Sequence, residues 1–176
     1  MSRADAQRLF FALNPRPDVR WELDQVRLRM GVTDARPVPT ENLHITVVFL
    51  GWVENDQLDM LRRVISRIGP PNCDLYLDRC GWFKRPRVGW IGSDAVPDEA
   101  LRFQQSLVHE VRALGFEFED RPWKPHVTVY RKMRNRPVML DFEPIRWKLD
   151  SYDLMVSEQR PGGVQYHSVG HRVANG

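Results

Sequence analysis

The segments Asn42-Leu43-His44-Ile45-Thr46-Val47 and Lys124-Pro125-His126-Val127-Thr128-Val129 share the pattern His-x-Thr within an apolar run. In a β-strand, residues i and i+2 point to the same face, so each histidine shares a face with its threonine, while the apolar residues point the other way. The two histidines are separated by nearly half of the 176-residue chain. This repeat predicts two similar half-domains, related by a pseudo-two-fold axis, that bring both His-Thr pairs to one groove.

The sequence around these motifs alternates between helix-like and strand-like periodicity. Apolar residues recur at spacings of three and four in three segments, each with a glycine at its end, which predicts helices over residues 19–30, 58–68 and 98–115. Runs of β-branched and aromatic residues predict strands over 8–13, 43–50, 74–80, 87–91, 127–130, 145–156 and 164–173. The last two strands are expected to pair as a hairpin across Arg160-Pro161-Gly162-Gly163. The pattern predicts an α+β fold in which each half supplies strands and a helix.

The length and composition are typical of one globular domain covering residues 1–176. With 42% hydrophobic and 28% charged residues, the chain can bury a core without a disulfide or metal. Its apolar runs are far shorter than the roughly 20 residues that span a bilayer, and its N-terminus lacks a signal-peptide core. We therefore expect a cytoplasmic protein in which Cys73 and Cys80 are buried thiols. The net charge of +3 suits a polyanionic partner.

Two histidines that face one substrate can divide the roles of general acid and general base. Imidazole titrates near pH 6.5, so near neutral pH one ring can be charged while the other is neutral. Phosphodiester cleavage needs that division, because one group takes a proton from the attacking oxygen and the other gives one to the leaving oxygen. The hydroxyls of Thr46 and Thr128 can donate to the non-bridging phosphate oxygens. No His, Cys or Asp cluster has the spacing of a zinc site, so we expect no metal and no other cofactor.

The chain resembles the 2H phosphoesterases, and within them the bacterial and archaeal RNA 2′,3′-cyclic phosphodiesterases of the LigT branch, historically called 2′-5′ RNA ligases. The resemblance covers nearly the whole chain and rests on the segments at residues 8–12, 42–51 and 121–131. It implies a bilobal α+β fold with two antiparallel sheets facing each other across a catalytic cleft and helices outside. It also implies that His44 donates a proton and His126 accepts one, an order that the symmetric motifs alone do not give.

The resemblance also suggests substrate contacts outside the two motifs. Arg131 resembles the family's phosphate-contacting arginine, but strict alternation places it opposite the second motif, so this role requires the strand to end or bulge at Tyr130. Phe10 or Phe11 resembles an aromatic residue on the floor of the family's groove, and alternation allows only one of them to face it. Trp123 is a candidate for stacking on a base. The remaining histidines lie outside any His-x-Thr context and are expected to be structural or exposed.

The expected activity is metal-independent hydrolysis of RNA ends that carry a 2′,3′-cyclic phosphate. With His126 as base and His44 as acid, water attacks phosphorus, the 3′ oxygen leaves, and the product is a 2′-phosphate. The reverse reaction joins a 5′-hydroxyl RNA end through a 2′-5′ linkage. We expect the enzyme to be a monomer. Two alternatives remain open: an enzyme for another cyclic phosphate, such as ADP-ribose 1″,2″-cyclic phosphate or a small cyclic nucleotide, and a non-catalytic RNA-binding module.

Overall fold

The computed structural model describes residues 5–118 and 121–175. Within these residues the helices are α1 (Pro17–Arg29), α2 (Leu58–Arg67) and α3 (Asp98–Ala113), with 3₁₀ turns at Thr40–Asn42 and Asn55–Gln57. The strands are β1 (Ala6–Leu13), β2 (Arg36–Pro37), β3 (Ile45–Glu54), β4 (Cys73–Leu77), β5 (Arg79–Phe83), β6 (Val88–Gly92), β7 (His126–Arg131), β8 (Ile145–Leu149), β9 (Ser151–Arg160) and β10 (Gly163–Val173). In the part of the chain so described, no helix has the length and apolar character needed to cross a membrane.

Most of the strands form one antiparallel sheet in the order β10-β9-β1-β3-β7-β6-β5, and the short β2 pairs with β7. Strands β4 and β8 form a separate two-stranded antiparallel sheet. The large sheet has two parts that meet at a single register pair, Ile45 of β3 with Val127 of β7. We call β10-β9-β1-β3 the first half-sheet and β7-β6-β5 the second half-sheet. The α+β class with antiparallel sheets is confirmed, and each half-sheet carries one His-x-Thr motif on its innermost strand.

The helices pack against one face of the large sheet and create the main core there. Leu23 of α1 and Leu107 of α3 are completely buried, and they belong to the same apolar cluster as Ile45 and Val127. Complete burial of a leucine side chain stabilises the fold by about 1.5–3 kcal/mol. Since the core occupies this face, the opposite face of the central strands is left for the polar members of the two motifs.

Two predicted strands are wrong in their extent, whereas the three helices and the β9–β10 hairpin are confirmed. Residues 74–80 belong to two strands that separate at Asp78, and residues 145–156 belong to two strands that separate at Asp150. At both points the chain leaves the two-stranded sheet and enters the large one, because β4 pairs with β8 while β5 pairs with β6 and β9 pairs with β1. In both cases the two successive strands are apolar, so the sequence pattern continues across the residue at which the chain changes sheet.

Candidate active site

The register pair between β3 and β7 places the two His-x-Thr motifs side by side at the centre of the large sheet. Ile45 and Val127 are completely buried on the core face. Strand alternation therefore turns both histidines and both threonines to the opposite face, which we call the histidine face. In an antiparallel pair the residue before one partner lies beside the residue after the other. Each histidine is thus flanked by the threonine of the other motif.

Each motif strand contains a β-bulge at the residue that follows its threonine. The register of β3 against β1 skips Val47, and the register of β7 against β6 skips Val129. A bulge adds one residue to a strand and breaks its strict alternation, so two adjacent side chains can turn to the same side. Accordingly Val47 and Val48 are buried together in β3, and Val129 and Tyr130 are buried together in β7. The hydroxyl of Tyr130 donates to the backbone carbonyl of Arg27 at 3.1 Å, which holds the second bulge against α1.

The two bulges return the fifth residue after each histidine to the histidine face. This residue is Phe49 in β3, with 46% of its surface exposed, and Arg131 in β7. Both side chains line the same cavity. The sequence required a strand end or bulge at Tyr130 for Arg131 to reach the site, and the bulge at Val129 has that effect. The same kind of bulge therefore places a phenylalanine on the histidine face in the first half-sheet and an arginine in the second.

Both imidazole rings are anchored through Nδ1 to a carbonyl two residues earlier. His44 Nδ1 lies 2.7 Å from the oxygen of Asn42, and His126 Nδ1 lies 2.7 Å from the oxygen of Lys124. A carbonyl can only accept, so Nδ1 carries the proton in both rings, and in the neutral rings Nε2 carries the lone pair. His44 Nε2 lies 3.1 Å from Thr46 Oγ1, where the neutral ring accepts the hydroxyl proton. These two hydrogen bonds select the tautomer in which Nε2 is available for proton transfer.

Aromatic side chains pack against both imidazole rings. Phe10 and Tyr166 lie 5.0 and 5.1 Å from the ring of His44, measured between centroids, and they contact each other at 5.2 Å. On the other half-sheet, the ring of Phe83 packs edge-on against His126 at 5.2 Å. These contacts limit the orientation of both imidazoles and cover part of each ring.

A cavity of about 430 Å³ opens on the histidine face and contains much of the predicted site. Among the predicted residues it is lined by Phe10, His44, Thr46 and Arg131. The remaining lining is Arg8, Arg36, Pro37, Val38, Pro39, Asn42, Phe49, Ser157, Gly162, Gly163, Val164 and Tyr166. Its described lining contains three arginines and no carboxylate, so the cavity suits an anion. We call it the histidine cavity.

The other predicted residues lie outside the lining of this cavity. His126 and Thr128 occupy the adjoining strand on the histidine face, beside the cavity. Phe11 points to the core face, where it is completely buried and packs on Tyr152 with 6.2 Å between ring centroids, because alternation gives Phe10 the other face. Trp123 is partly buried against the core, and its indole Nε1 donates to the backbone carbonyl of Thr46 at 3.0 Å. Trp123 therefore ties the segment before β7 to β3.

The surroundings of both histidines favour the neutral form of the imidazole ring. Burial lowers the pKa of His44 to about 4, against the opposing hydrogen bond to Asn42, and the positive charges of Arg131 and Arg20 add to this effect, as a proton on His126 would. Burial also lowers the pKa of His126, again against a backbone hydrogen bond, to Lys124. In residues 5–118 and 121–175, no group of three or more His, Cys, Asp or Glu residues could hold a metal ion. The polar side chains of the predicted site are two imidazoles, two hydroxyls and the guanidinium of Arg131.

Comparison with known proteins agrees with this geometry. A family model described as LigT like Phosphoesterase matches residues 13–90. The RNA 2′,3′-cyclic phosphodiesterase of Escherichia coli K12 is 33% identical over 129 residues, which are 73% of this chain and 73% of that protein. This chain belongs to the LigT-like phosphoesterase family. The RNA 2′,3′-cyclic phosphodiesterase of Thermotoga maritima is 28% identical over 172 residues, 90% of this chain and 91% of that protein. The crystal structure of E. coli LigT complexed with 3′-AMP matches with a TM-score of 0.86 and 26% identity, covering 98% of this chain and 100% of that chain.

Several residues that shape this LigT-like site were missed by sequence reasoning. Tyr166 reaches His44 from β10, and Arg36 enters the cavity from β2, a two-residue strand with no periodicity to detect. Asn42 is buried, accepts from His44 through its carbonyl, and donates through its side chain to the carbonyl of Val164 at 2.8 Å. The sequence shows an asparagine two residues before the motif histidine, whereas its burial, which makes partners for its amide necessary, is visible only in the structure.

Proposed function

We propose that this LigT-like phosphoesterase hydrolyses the 2′,3′-cyclic phosphate at the 3′ end of an RNA to a 2′-phosphomonoester. The observation that carries the proposal is the adjacency of the two His-x-Thr strands on one face, with Arg131 beside them. The substrate follows from the curated relatives, which are named RNA 2′,3′-cyclic phosphodiesterases. In this proposal the chain is a cytoplasmic, monomeric, single-domain enzyme, and these three properties stay predictions.

The proposed reaction uses one histidine as base and the other as acid. The Nε2 lone pair of His126 takes a proton from water while the water oxygen attacks phosphorus. The bond between phosphorus and the 3′ oxygen breaks, and the protonated Nε2 of His44 gives its proton to that oxygen. One water is added, the product carries a 2′-phosphate and a 3′-hydroxyl, and solvent returns both rings to their initial protonation. Such proton transfers contribute about 10²–10⁴-fold each.

The remaining polar groups hold the non-bridging oxygens of the phosphate. At rest the hydroxyl of Thr46 donates to neutral His44, so it is not free for substrate. When an anionic phosphate draws a proton onto His44, Nε2 becomes a donor and the hydroxyl of Thr46 is released to donate to an oxygen. Thr128 occupies the corresponding position beside His126, and the guanidinium of Arg131 offers two parallel donors. Phe10 forms the apolar floor of the pocket.

A second candidate function is cyclic phosphodiesterase activity on a small nucleotide. The volume of the histidine cavity, about 430 Å³, lies in the range of pockets that hold one small ligand. E. coli LigT has been crystallised with the mononucleotide 3′-AMP. Relative kcat/KM for an RNA oligonucleotide and for a nucleoside 2′,3′-cyclic phosphate separates the two candidates.

A leaving-group experiment tests the proposed roles of the histidines. His44→Ala and His126→Ala are assayed on RNA with a cyclic phosphate end and on a phosphodiester with an activated aryl leaving group that needs no proton. His109→Ala, on α3, is the matched control and is expected to behave like the unmodified enzyme. The aryl substrate should rescue His44→Ala and leave His126→Ala inactive. Equal rescue of both variants, or a 3′-phosphate product, would contradict the assignment.

A further inference from the structure

A second cavity, also of about 430 Å³, opens at the turn between β5 and β6. We call it the turn cavity, and its lining is Trp82, Lys84, Arg85, Pro86, Arg87 and Arg134. Four of these six side chains are cationic and none is acidic. All four cations are exposed, while Trp82 is partly buried against the core and supplies an apolar floor.

The four cations of the turn cavity differ from many arginines elsewhere on the surface. Other arginines have carboxylate partners, as Arg79 has Asp94 at 2.7 Å and Arg146 has Asp74 at 2.9 Å. Within residues 5–118 and 121–175, Lys84 and the three arginines of the turn cavity have no ion pair or side-chain hydrogen bond. Like charges that converge without a counter-ion repel one another, and an anionic ligand with several charges relieves that repulsion.

The turn cavity lies close to the active site along the end of β7. The backbone amide of Met133 donates to the carbonyl of Arg87 at 3.0 Å, two residues after Arg131. In addition, Gly89 of β6 is paired with Tyr130 of β7. With strands about 4.8 Å apart and a rise of about 3.3 Å per residue, the backbones of Arg131 and Arg87 lie within roughly 10 Å of each other. Arg131 of the histidine cavity and Arg87 of the turn cavity therefore lie at the same end of the β6–β7 pair.

We propose that the turn cavity binds the phosphodiester backbone of the RNA strand that leads into the active site. The inference rests on the proposed function, because an RNA whose cyclic phosphate occupies the histidine cavity has further phosphates that can extend past the end of β7 to the turn cavity. Proteins that hold single-stranded nucleic acid combine cations that follow the backbone with an aromatic surface, and Trp82 with its surrounding cations has this composition. Arginine forks fit phosphate oxygens bidentately. The site makes the enzyme prefer an RNA chain over a cyclic mononucleotide.

The test compares Lys84→Gln/Arg85→Gln/Arg134→Gln with a control that removes three exposed charges from the helices, Arg63→Gln/Arg67→Gln/Arg102→Gln. Arg87 is kept because its positive φ of 65° shapes the turn. Both variants and the unmodified enzyme are assayed on a ten-nucleotide RNA with a 2′,3′-cyclic phosphate and on a nucleoside 2′,3′-cyclic phosphate. Fluorescence anisotropy measures binding of the same decamer with a 2′-phosphate end as a function of salt.

We expect kcat/KM for the decamer to fall about tenfold in the turn-cavity variant, through KM, while values for the mononucleotide stay within about twofold. The slope of log affinity against log salt should become shallower by roughly 0.7 for each phosphate that the variant no longer binds. Equal behaviour of the two variants on the decamer would overturn the turn-cavity site, as would an equal reduction on both substrates. If the unmodified enzyme hydrolyses neither substrate while the turn-cavity variant still binds RNA more weakly, the proposed function fails and the RNA site stands.

Discussion

Binding of an anionic phosphodiester is expected to draw close to one proton onto His44. Burial, reinforced by the positive charges of Arg131 and Arg20, lowers the pKa of this imidazole to about 4. At about 1.4 kcal/mol per pH unit, placing a proton on such a group at pH 7 costs about 4 kcal/mol in the free protein. A phosphate held by Arg131 supplies the opposite charge that offsets this cost, because a charge within about 4–6 Å favours the ionised partner.

The proton uptake can be measured by isothermal titration calorimetry with the His126→Ala variant, which should bind a nucleoside 2′,3′-cyclic phosphate without turnover. The binding enthalpy at pH 6.5 is compared in buffers of different ionisation enthalpy, and the slope gives the number of protons taken up. His44→Gln in the same background is the control and should show no slope. NMR should find that His44 titrates near pH 4 without ligand and at higher pH with it. A free His44 titrating near 6.5, or a binding enthalpy independent of buffer in both proteins, would refute the reasoning.

The same shifts determine the pH profile of hydrolysis. With the proposed roles, the free enzyme is active when His44 is protonated and His126 is neutral, so activity should be lost at high pH as His44 loses its proton and at low pH as His126 gains one. Since both pKa values are lowered in the free protein, the bell for kcat/KM should lie below pH 6.5. The negative charge of a bound phosphate is expected to raise both pKa values, so the bell for kcat should lie at higher pH. If the pH profiles of kcat/KM and kcat coincide, the expectation that substrate binding draws a proton onto His44 is contradicted.

Three further predictions concern the chemistry and the packing of the site. EDTA should leave turnover intact, and loss of activity restored by one divalent metal would reject the two-histidine reaction. Changing His44 and His126 to Ala should each cost about 10²–10⁴-fold in kcat, with the double variant losing much less than the product of the single losses. Gly81→Ala places a Cβ 2.4 Å from Trp90, whose ring stacks on Phe83 at 5.3 Å beside the second histidine. Urea unfolding should show that Gly81→Ala lowers the free energy of unfolding by about 1–3 kcal/mol. The control is Gly69→Ala, whose added Cβ meets no atom within 4 Å, and equal stability of the two variants would contradict the prediction.

The parts of the fold that follow from local periodicity could be predicted from the sequence. The apolar stripe of α3, including Phe103 and Leu107, gave its position to within two residues, because helix periodicity depends only on neighbours in the chain. Strand alternation likewise put each histidine on a face with its threonine. These features depend on which residues are apolar and on their order alone.

The features that depend on a partner strand could not be predicted in this way. At Val47, β3 has one residue more than the segment of β1 with which it pairs, and at Val129, β7 has one residue more than β6. Each bulge therefore depends on the pairing with another strand. Alternation alone therefore placed Arg131 on the wrong face unless a bulge was assumed. Tyr166 of β10 contacts His44, which directly precedes β3, and these two strands belong to one sheet with the order β10-β9-β1-β3. This order joins parts of the chain that are far apart in the sequence, and no local pattern predicts it.

The junction of the two half-sheets has a mechanical consequence. They share one register pair, Ile45 with Val127, and one indole hydrogen bond from Trp123 to the carbonyl of Thr46. A small rotation of one half-sheet against the other at this junction would change the distance between the two imidazoles less than it changes distances at the outer strands. Changes in the outer strands and loops are therefore expected to leave the spacing of the two imidazoles unchanged, so that substrate choice could diverge at the periphery of the sheet while the two histidines stay in place.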